Sequence, residues 1–131
     1  MATIFTKIIN KEIPSYTIYE NENFISFLDI NPLTVGHCLV VPKNETDYIF
    51  DLDEIYLKEI LIFSKKISSA LIKTVDCLRI GVSVVGLEVP HAHLHLIPFK
   101  KEIEMNFSNK RIKMTNDDFK NLQNQIVKNL N

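Results

Sequence analysis

Pro90-His91-Ala92-His93-Leu94-His95-Leu96-Ile97-Pro98 holds three of the chain's four histidines. The imidazoles alternate with Ala92, Leu94 and Leu96. A strand sends successive side chains to opposite faces, so this spacing predicts one face of imidazoles and one face of core. Same-face neighbours stand roughly 6–7 Å apart, and the row would line a site about 13 Å long. A proline at each end suits the margins of a strand. Two chemistries fit the pattern. His-x-His on a strand supplies metal ligands, completed from elsewhere. Alternatively, one neutral imidazole attacks as a nucleophile while its neighbours set charge and proton position. Spacing alone does not separate the two.

The rest of the chain narrows the setting. Its 131 residues predict a single domain, 1–131, large enough for a real core. Hydrophobic residues at 46% and charged residues at 24% match an ordinary soluble globular protein. A net charge of −1 argues against a protein held to nucleic acid mainly by charge. No apolar run is long enough to span a membrane, and Met1 to Pro14 lacks a signal-peptide core. These features predict a cytoplasmic protein with no nucleic-acid or membrane partner. Cys38 and Cys77 form no close pair and read as reduced, buried side chains.

Hydrophobic periodicity predicts the elements. Thr3 to Ile9 fits a short helix capped by Thr3. Tyr16–Glu20, Phe24–Ile30 and His37–Val41 read as strands, separated by Glu20–Asn23 and by a loop over Asn31–Gly36. The clearest helix runs from Asp51, its expected cap, to Thr74. Leu52, Ile55, Tyr56, Ile60, Phe63, Ile67, Ala70 and Leu71 form its apolar stripe. Cys77–Val85 reads as a strand that turns at Gly86 into the histidine strand. Lys100–Lys113 is poorly periodic. Thr115–Leu130 reads as a final helix, with Thr115 and Asp118 as a capping pair. The expected fold class is α+β: an antiparallel sheet of about five strands, one long helix on one face, and shorter helices at both termini.

Four stretches in register resemble the histidine-triad (HIT) family. They are His91-Ala92-His93-Leu94-His95-Leu96-Ile97; Ile4-Phe5 with Lys7-Ile8-Ile9 and Glu12-Ile13-Pro14; Phe27-x-Asp29-Ile30-x-Pro32; and Gly36-His37-x-Leu39-Val40-Val41-Pro42-Lys43. The likeness covers roughly residues 4–98; the segment 99–131 is less diagnostic. It implies a HIT-like fold, usually homodimeric, binding a purine nucleotide with no cofactor. It implies that His93 attacks the α-phosphorus, that His95 contacts phosphate or assists the leaving group, and that His91 and His37 support the cluster. Asp29 would accept the ribose hydroxyls. Ile4, Phe5, Ile8, Phe27 and Ile30 would form the slot for the base.

Departures from the family pattern carry their own expectations. Many relatives place zinc-binding Cys, Cys and His where this chain has Thr3, Thr6 and Glu45. Thr hydroxyls are poor zinc ligands, so no metal is expected. Before the triad, where relatives carry Gln and a hydroxyl residue near phosphate or leaving group, this chain has Leu87 and Glu88. An ionised Glu88 would repel phosphate; it could instead act as a general acid or pair with a cationic leaving amine. No upstream Asn serves phosphate, and Arg79 could supply the missing charge or simply be solvated. Three readings follow. The first is a nucleotidyl hydrolase of the phosphoramidase type, working through a nucleotidyl-histidine. The second is a nucleotide-binding adaptor with little turnover. The third is a metal-dependent protein using the four histidines.

Overall fold

The computed structural model describes residues 2–131. Its centre is one sheet of β1 (Thr17–Glu20), β2 (Phe24–Leu28), β3 (Cys38–Pro42), β4 (Arg79–Ser83) and β5 (Leu94–Phe99). The strand order is β1-β2-β3-β5-β4, and every neighbouring pair is antiparallel. Helices α1 (Ile4–Ile9), α2 (Glu54–Thr74) and α3 (Asn116–Lys128) complete the expected α+β architecture.

Alternation along β2 explains why both faces of the sheet are covered. Phe24 and Leu28 enter a core with Ile60, Phe63, Ile67 and Leu71 of α2 and Phe119 and Ile126 of α3. Ile25 and Phe27 point the other way and pack with Phe5 and Ile8 of α1 and Leu39 and Val41 of β3. Full burial of a side chain such as Ile67 or Leu71 contributes about 1.5–3 kcal/mol. The long helix therefore anchors one face and leaves the other to α1 and the histidines. No helix among the described residues is long and apolar enough to cross a membrane.

Two caps form as their residues predict. The Thr3 hydroxyl accepts the Thr6 N–H at 3.1 Å. At α3, Thr115 Oγ1 accepts the Asp118 N–H while Asp118 accepts the Thr115 N–H, both at 3.1 Å. The start of α2 differs from expectation. Asp51 ends a short 3₁₀ turn, Ile49–Asp51, and the α-helix begins only at Glu54. Ile55, expected in the apolar stripe, is exposed because it lies on the outer side of that first turn.

The histidine strand is also shorter at its front than expected. β5 begins at Leu94, so His91 and His93 precede it and only His95 lies within it. The cause is Pro42. Continuing the register of Val40 opposite Leu94 would bring Pro42 opposite Ala92. Pro42 has no N–H to give, and its carbonyl is taken by the His91 side chain at 2.8 Å. At the other end the strand runs through Pro98 to Phe99, since β3 pairs with β5 only over Leu94–Leu96. Pro98 thus lies past the β3 ladder, where the Thr34 hydroxyl donates to its carbonyl at 2.7 Å. The expected tight turn at Gly86 is instead a connection over residues 84–93, which forms one wall of a cavity.

Gly36 fixes the approach to His37. It has φ +91°, and an added Cβ would lie 2.9 Å from Val75 and 3.1 Å from Pro98. Left-handed backbone and overpacking both penalise a side chain there. Gly36→Ala is expected to lower unfolding free energy by about 2–4 kcal/mol in urea. A change below about 0.5 kcal/mol would contradict this packing.

Candidate active site

A cavity of about 320 Å³ opens on the α1 face of the sheet. That volume lies within the range of small-ligand sites. Ile4 and Phe5 of α1, Asp29, Glu88, His93 and His95 are among its lining residues. The Phe5 ring meets the His93 ring edge-on at 5.0 Å, and the His93 and His95 rings are 5.0 Å apart.

Hydrogen bonds determine which nitrogen of each ring carries a proton. The Leu33 N–H donates to His37 Nδ1 at 2.9 Å. A backbone N–H can only donate, so in the neutral ring the proton sits on Nε2. His37 Nε2–H then donates to His95 Nδ1 at 2.9 Å, which leaves the His95 proton on its own Nε2. His93 is held the other way round. Its Nδ1 lies 2.8 Å from the His91 carbonyl, which can only accept. His93 Nδ1 is therefore protonated, and its Nε2 keeps the lone pair. Among the described residues Ser26 Oγ is the one buried side-chain polar atom without a partner. His93 Nε2 and His95 Nε2, which have no protein partner, therefore reach the open cavity. The site presents one nucleophilic nitrogen beside one N–H donor.

Burial keeps these rings neutral. Desolvation pushes His37 down to about 3 and His95 down to about 4, and the neighbouring rings and Arg111 add to both shifts. Burial also lowers His93, opposed by its bond to the His91 carbonyl. Asp29 is raised by burial, and the Asn31 N–H that it accepts at 2.8 Å pulls the other way. His37 Nε2 lies 3.5 Å from Asp29, and a neutral His37 makes no ion pair there.

Asp29, His37 and His95 offer donor atoms within 4.8 Å of one another. They do not suit a metal ion. Ligation through His37 Nε2 would move its proton to Nδ1, directly against the Leu33 N–H. A second cluster joins Thr3, Thr6, Glu45 and His91. Thr3 Oγ1 donates to His91 Nδ1 at 2.9 Å, while His91 Nε2–H donates to the Pro42 carbonyl. The Thr6 hydroxyl and the Thr3 N–H both donate to Glu45. Two hydroxyls and one carboxylate are a poor zinc donor set, and each hydroxyl proton already has an acceptor. The cluster braces His91, whose carbonyl holds His93.

The expected site residues divide. Ile4, Phe5, Asp29, Leu87, Glu88, His93 and His95 line the cavity. His91 and His37 stand behind it, fully buried. Phe27 and Ile8 do not line it; they lie beneath Phe5 in the core of that face. Ile30 is exposed and borders a separate groove with Tyr16, Met114 and Phe119. A strand end that turns sharply after Asp29 carries Ile30 away. Arg79 is exposed on the edge strand and is not among the lining residues. Phe107 and Arg111 do line the cavity, although sequence reading passed over them. The Phe107 ring packs 4.8 Å from His95, and Arg111 lies 5.7 Å over that ring. The segment holding them is poorly periodic, and with 15 basic residues in the chain no sequence signal singles out Arg111.

Comparison with known proteins identifies the family and the fold. The HIT domain family model matches residues 10–102, and the chain belongs to the HIT family. An uncharacterized HIT-like protein of Borreliella burgdorferi is 39% identical, covering 97% of each chain. An adenosine 5'-monophosphoramidase of Saccharomyces cerevisiae is 35% identical over 77% of this chain and 65% of its own. The crystal structure of a HIT-like protein involved in cell-cycle regulation from Bartonella henselae superposes with a TM-score of 0.84. It is 31% identical and covers 97% of this chain and 95% of its own.

The bracing of His91 yields a direct test. Thr3→Val removes both a helix cap and the donor to a buried ring, and should cost about 1–3 kcal/mol in urea. Wild-type melting temperature should be the same in chelator and in added zinc. A zinc-dependent rise of several degrees would contradict the hydrogen-bonded cluster.

Proposed function

We propose that this protein is a nucleotidyl hydrolase that cleaves a phosphoramidate, or another substituted nucleoside 5'-monophosphate, through a covalent nucleotidyl-His93 intermediate. The observation that carries this reading is the His93 ring. Its Nδ1 proton is tied to a backbone carbonyl, and its Nε2 lone pair opens into a cavity shared with Asp29. The monophosphoramidase relatives support the substrate class.

The reaction begins with attack of His93 Nε2 on the α-phosphorus. The bond from phosphorus to the leaving nitrogen breaks, and the electron pair leaves with that nitrogen. Positive charge grows on the attacking ring, and the His91 carbonyl stabilises it through Nδ1–H. His95 Nε2–H donates to a phosphate oxygen. The leaving amine takes its proton at the open mouth, from water or through His95, whose pKa, lowered by burial, rises beside a bound phosphate anion. Water then displaces His93 from phosphorus and releases the nucleoside monophosphate. Asp29 accepts the ribose hydroxyls, while Ile4 and Phe5 cover the purine. Glu88, exposed at the lip beside Leu87, faces the leaving group and favours a cationic amine.

We also infer a homodimer. β4 is an edge strand, and its exposed Val82 shares an apolar groove with Leu61 of α2. Covering that edge with a second copy would remove an aggregation hazard. A second functional reading is nucleotide binding with little turnover, favoured by the Glu88 carboxylate near the phosphate position.

Adenosine 5'-phosphoramidate hydrolysis separates these readings. Wild type should turn over and yield a nucleotidyl adduct on His93 in a rapid acid quench read by mass spectrometry. His93→Ala should fold normally and lose at least about 10³-fold in rate. Full activity in that variant would refute the assignment, and binding without release by wild type would favour the second reading.

A further inference from the structure

The cavity is poorly balanced for an anionic ligand. Asp29 and Glu88 bring carboxylates to it, while His93 and His95 resist protonation. Leu87 and Val89 flank Glu88 and add no charge. Arg111 is the one lysine or arginine among the described residues of the lining. It comes from the irregular segment between the sheet and α3, which folds back across the site.

The guanidinium is held in place from behind. Nη1 donates to the Asn31 carbonyl at 2.8 Å and Nη2 to the Phe107 carbonyl at 3.2 Å. Its carbon lies 5.7 Å over the Phe107 ring, which in turn packs on His95. A guanidinium has five N–H donors, so most remain without a protein partner among the described residues. Arg111 also makes no ion pair with Asp29 among the described residues. A cation anchored through carbonyls, with donors to spare, is preorganised for a phosphate group.

We propose that Arg111 is a substrate-binding residue that takes up the phosphate charge of a nucleotide held at His93 and His95. The proposal rests on the nucleotide reading above. It assigns the segment around Phe107 and Arg111 the duty left open by the Leu87–Glu88 loop. Because Arg111 also ties Asn31 to Phe107, its loss could act merely through structure. The test therefore compares ligands that differ only in the phosphate.

Calorimetry at fixed salt measures AMP, adenosine and 2'-deoxyadenosine binding to wild type, R111Q and R111K. R111Q should weaken AMP roughly 10- to 100-fold, the loss of a charged hydrogen-bond partner. Adenosine should change by less than about 3-fold on the same reasoning. R111K, which keeps the charge but not the planar fork, should fall between wild type and R111Q. Equal losses for AMP and adenosine would overturn the proposal and leave Arg111 a structural tie. Selective loss of discrimination between adenosine and 2'-deoxyadenosine would overturn it in favour of support for Asp29. If R111Q does not fold, R111K decides: a loss confined to AMP supports the proposal, and its absence overturns it. Failure of wild type to bind any of the three ligands would overturn this proposal together with the nucleotide reading, whereas the preceding outcomes leave that reading intact.

Discussion

A backbone N–H cannot accept a hydrogen bond and a carbonyl cannot donate one. That asymmetry governs the site. The Leu33 N–H fixes the proton of His37, and through it the proton of His95, while the His91 carbonyl fixes that of His93. Two adjacent rings of the same residue type are thereby given opposite chemistry. One offers a lone pair to the cavity and the other offers an N–H. Side-chain identity alone would leave both tautomers open, and the fold removes the choice.

The fold serves that arrangement from several directions. Gly36 lets the chain turn tightly into β3 and delivers His37 behind His95. Pro42 ends the ladder, which frees the His91 side chain to take its carbonyl and the His91 backbone to hold His93. Thr3 both caps α1 and braces His91, so the first helix is coupled to the nucleophile's tautomer on the same face of the sheet. Burial supplies the remaining condition, because a charged imidazole would lose more solvation than a neutral one. The same burial leaves the cavity without cationic histidines. An anionic ligand then needs a cation from elsewhere, and Arg111 stands at the one point where the lining provides it.

Much of this is legible in the residues, for reasons that differ by element. Phe24–Leu28 is legible as a strand whose residues split between two faces, while the covering of both faces comes from α1 on one side and α2 and α3 on the other. The Thr115–Asp118 pair announces the start of α3 through local hydrogen bonding. His91, His93 and His95 are legible as a candidate site because their spacing is regular, whereas His37 and Asp29 enter only through the resemblance to the HIT family. Other features depend on distant partners. The late start of β5 follows from Pro42, far back in the chain. Phe27 lies under Phe5 because α1 packs over it, and Ile30 turns outward because the strand ends at Leu28, neither of which periodicity specifies. Phe107 and Arg111 lie in a segment with no period, and only the return of the chain over the cavity gives them a neighbour.

Imidazole ¹⁵N chemical shifts and two-bond ¹⁵N–¹H correlations test the central claim most directly. At neutral pH, His93 should show a protonated Nδ1 and an unprotonated Nε2, with His95 and His37 showing the reverse. His37 and His95 should remain neutral as pH falls to about 6, and His93 should protonate only below the ordinary imidazole value. A neutral His93 ring protonated on Nε2, or an imidazolium at His37 or His95 under those conditions, would contradict the account.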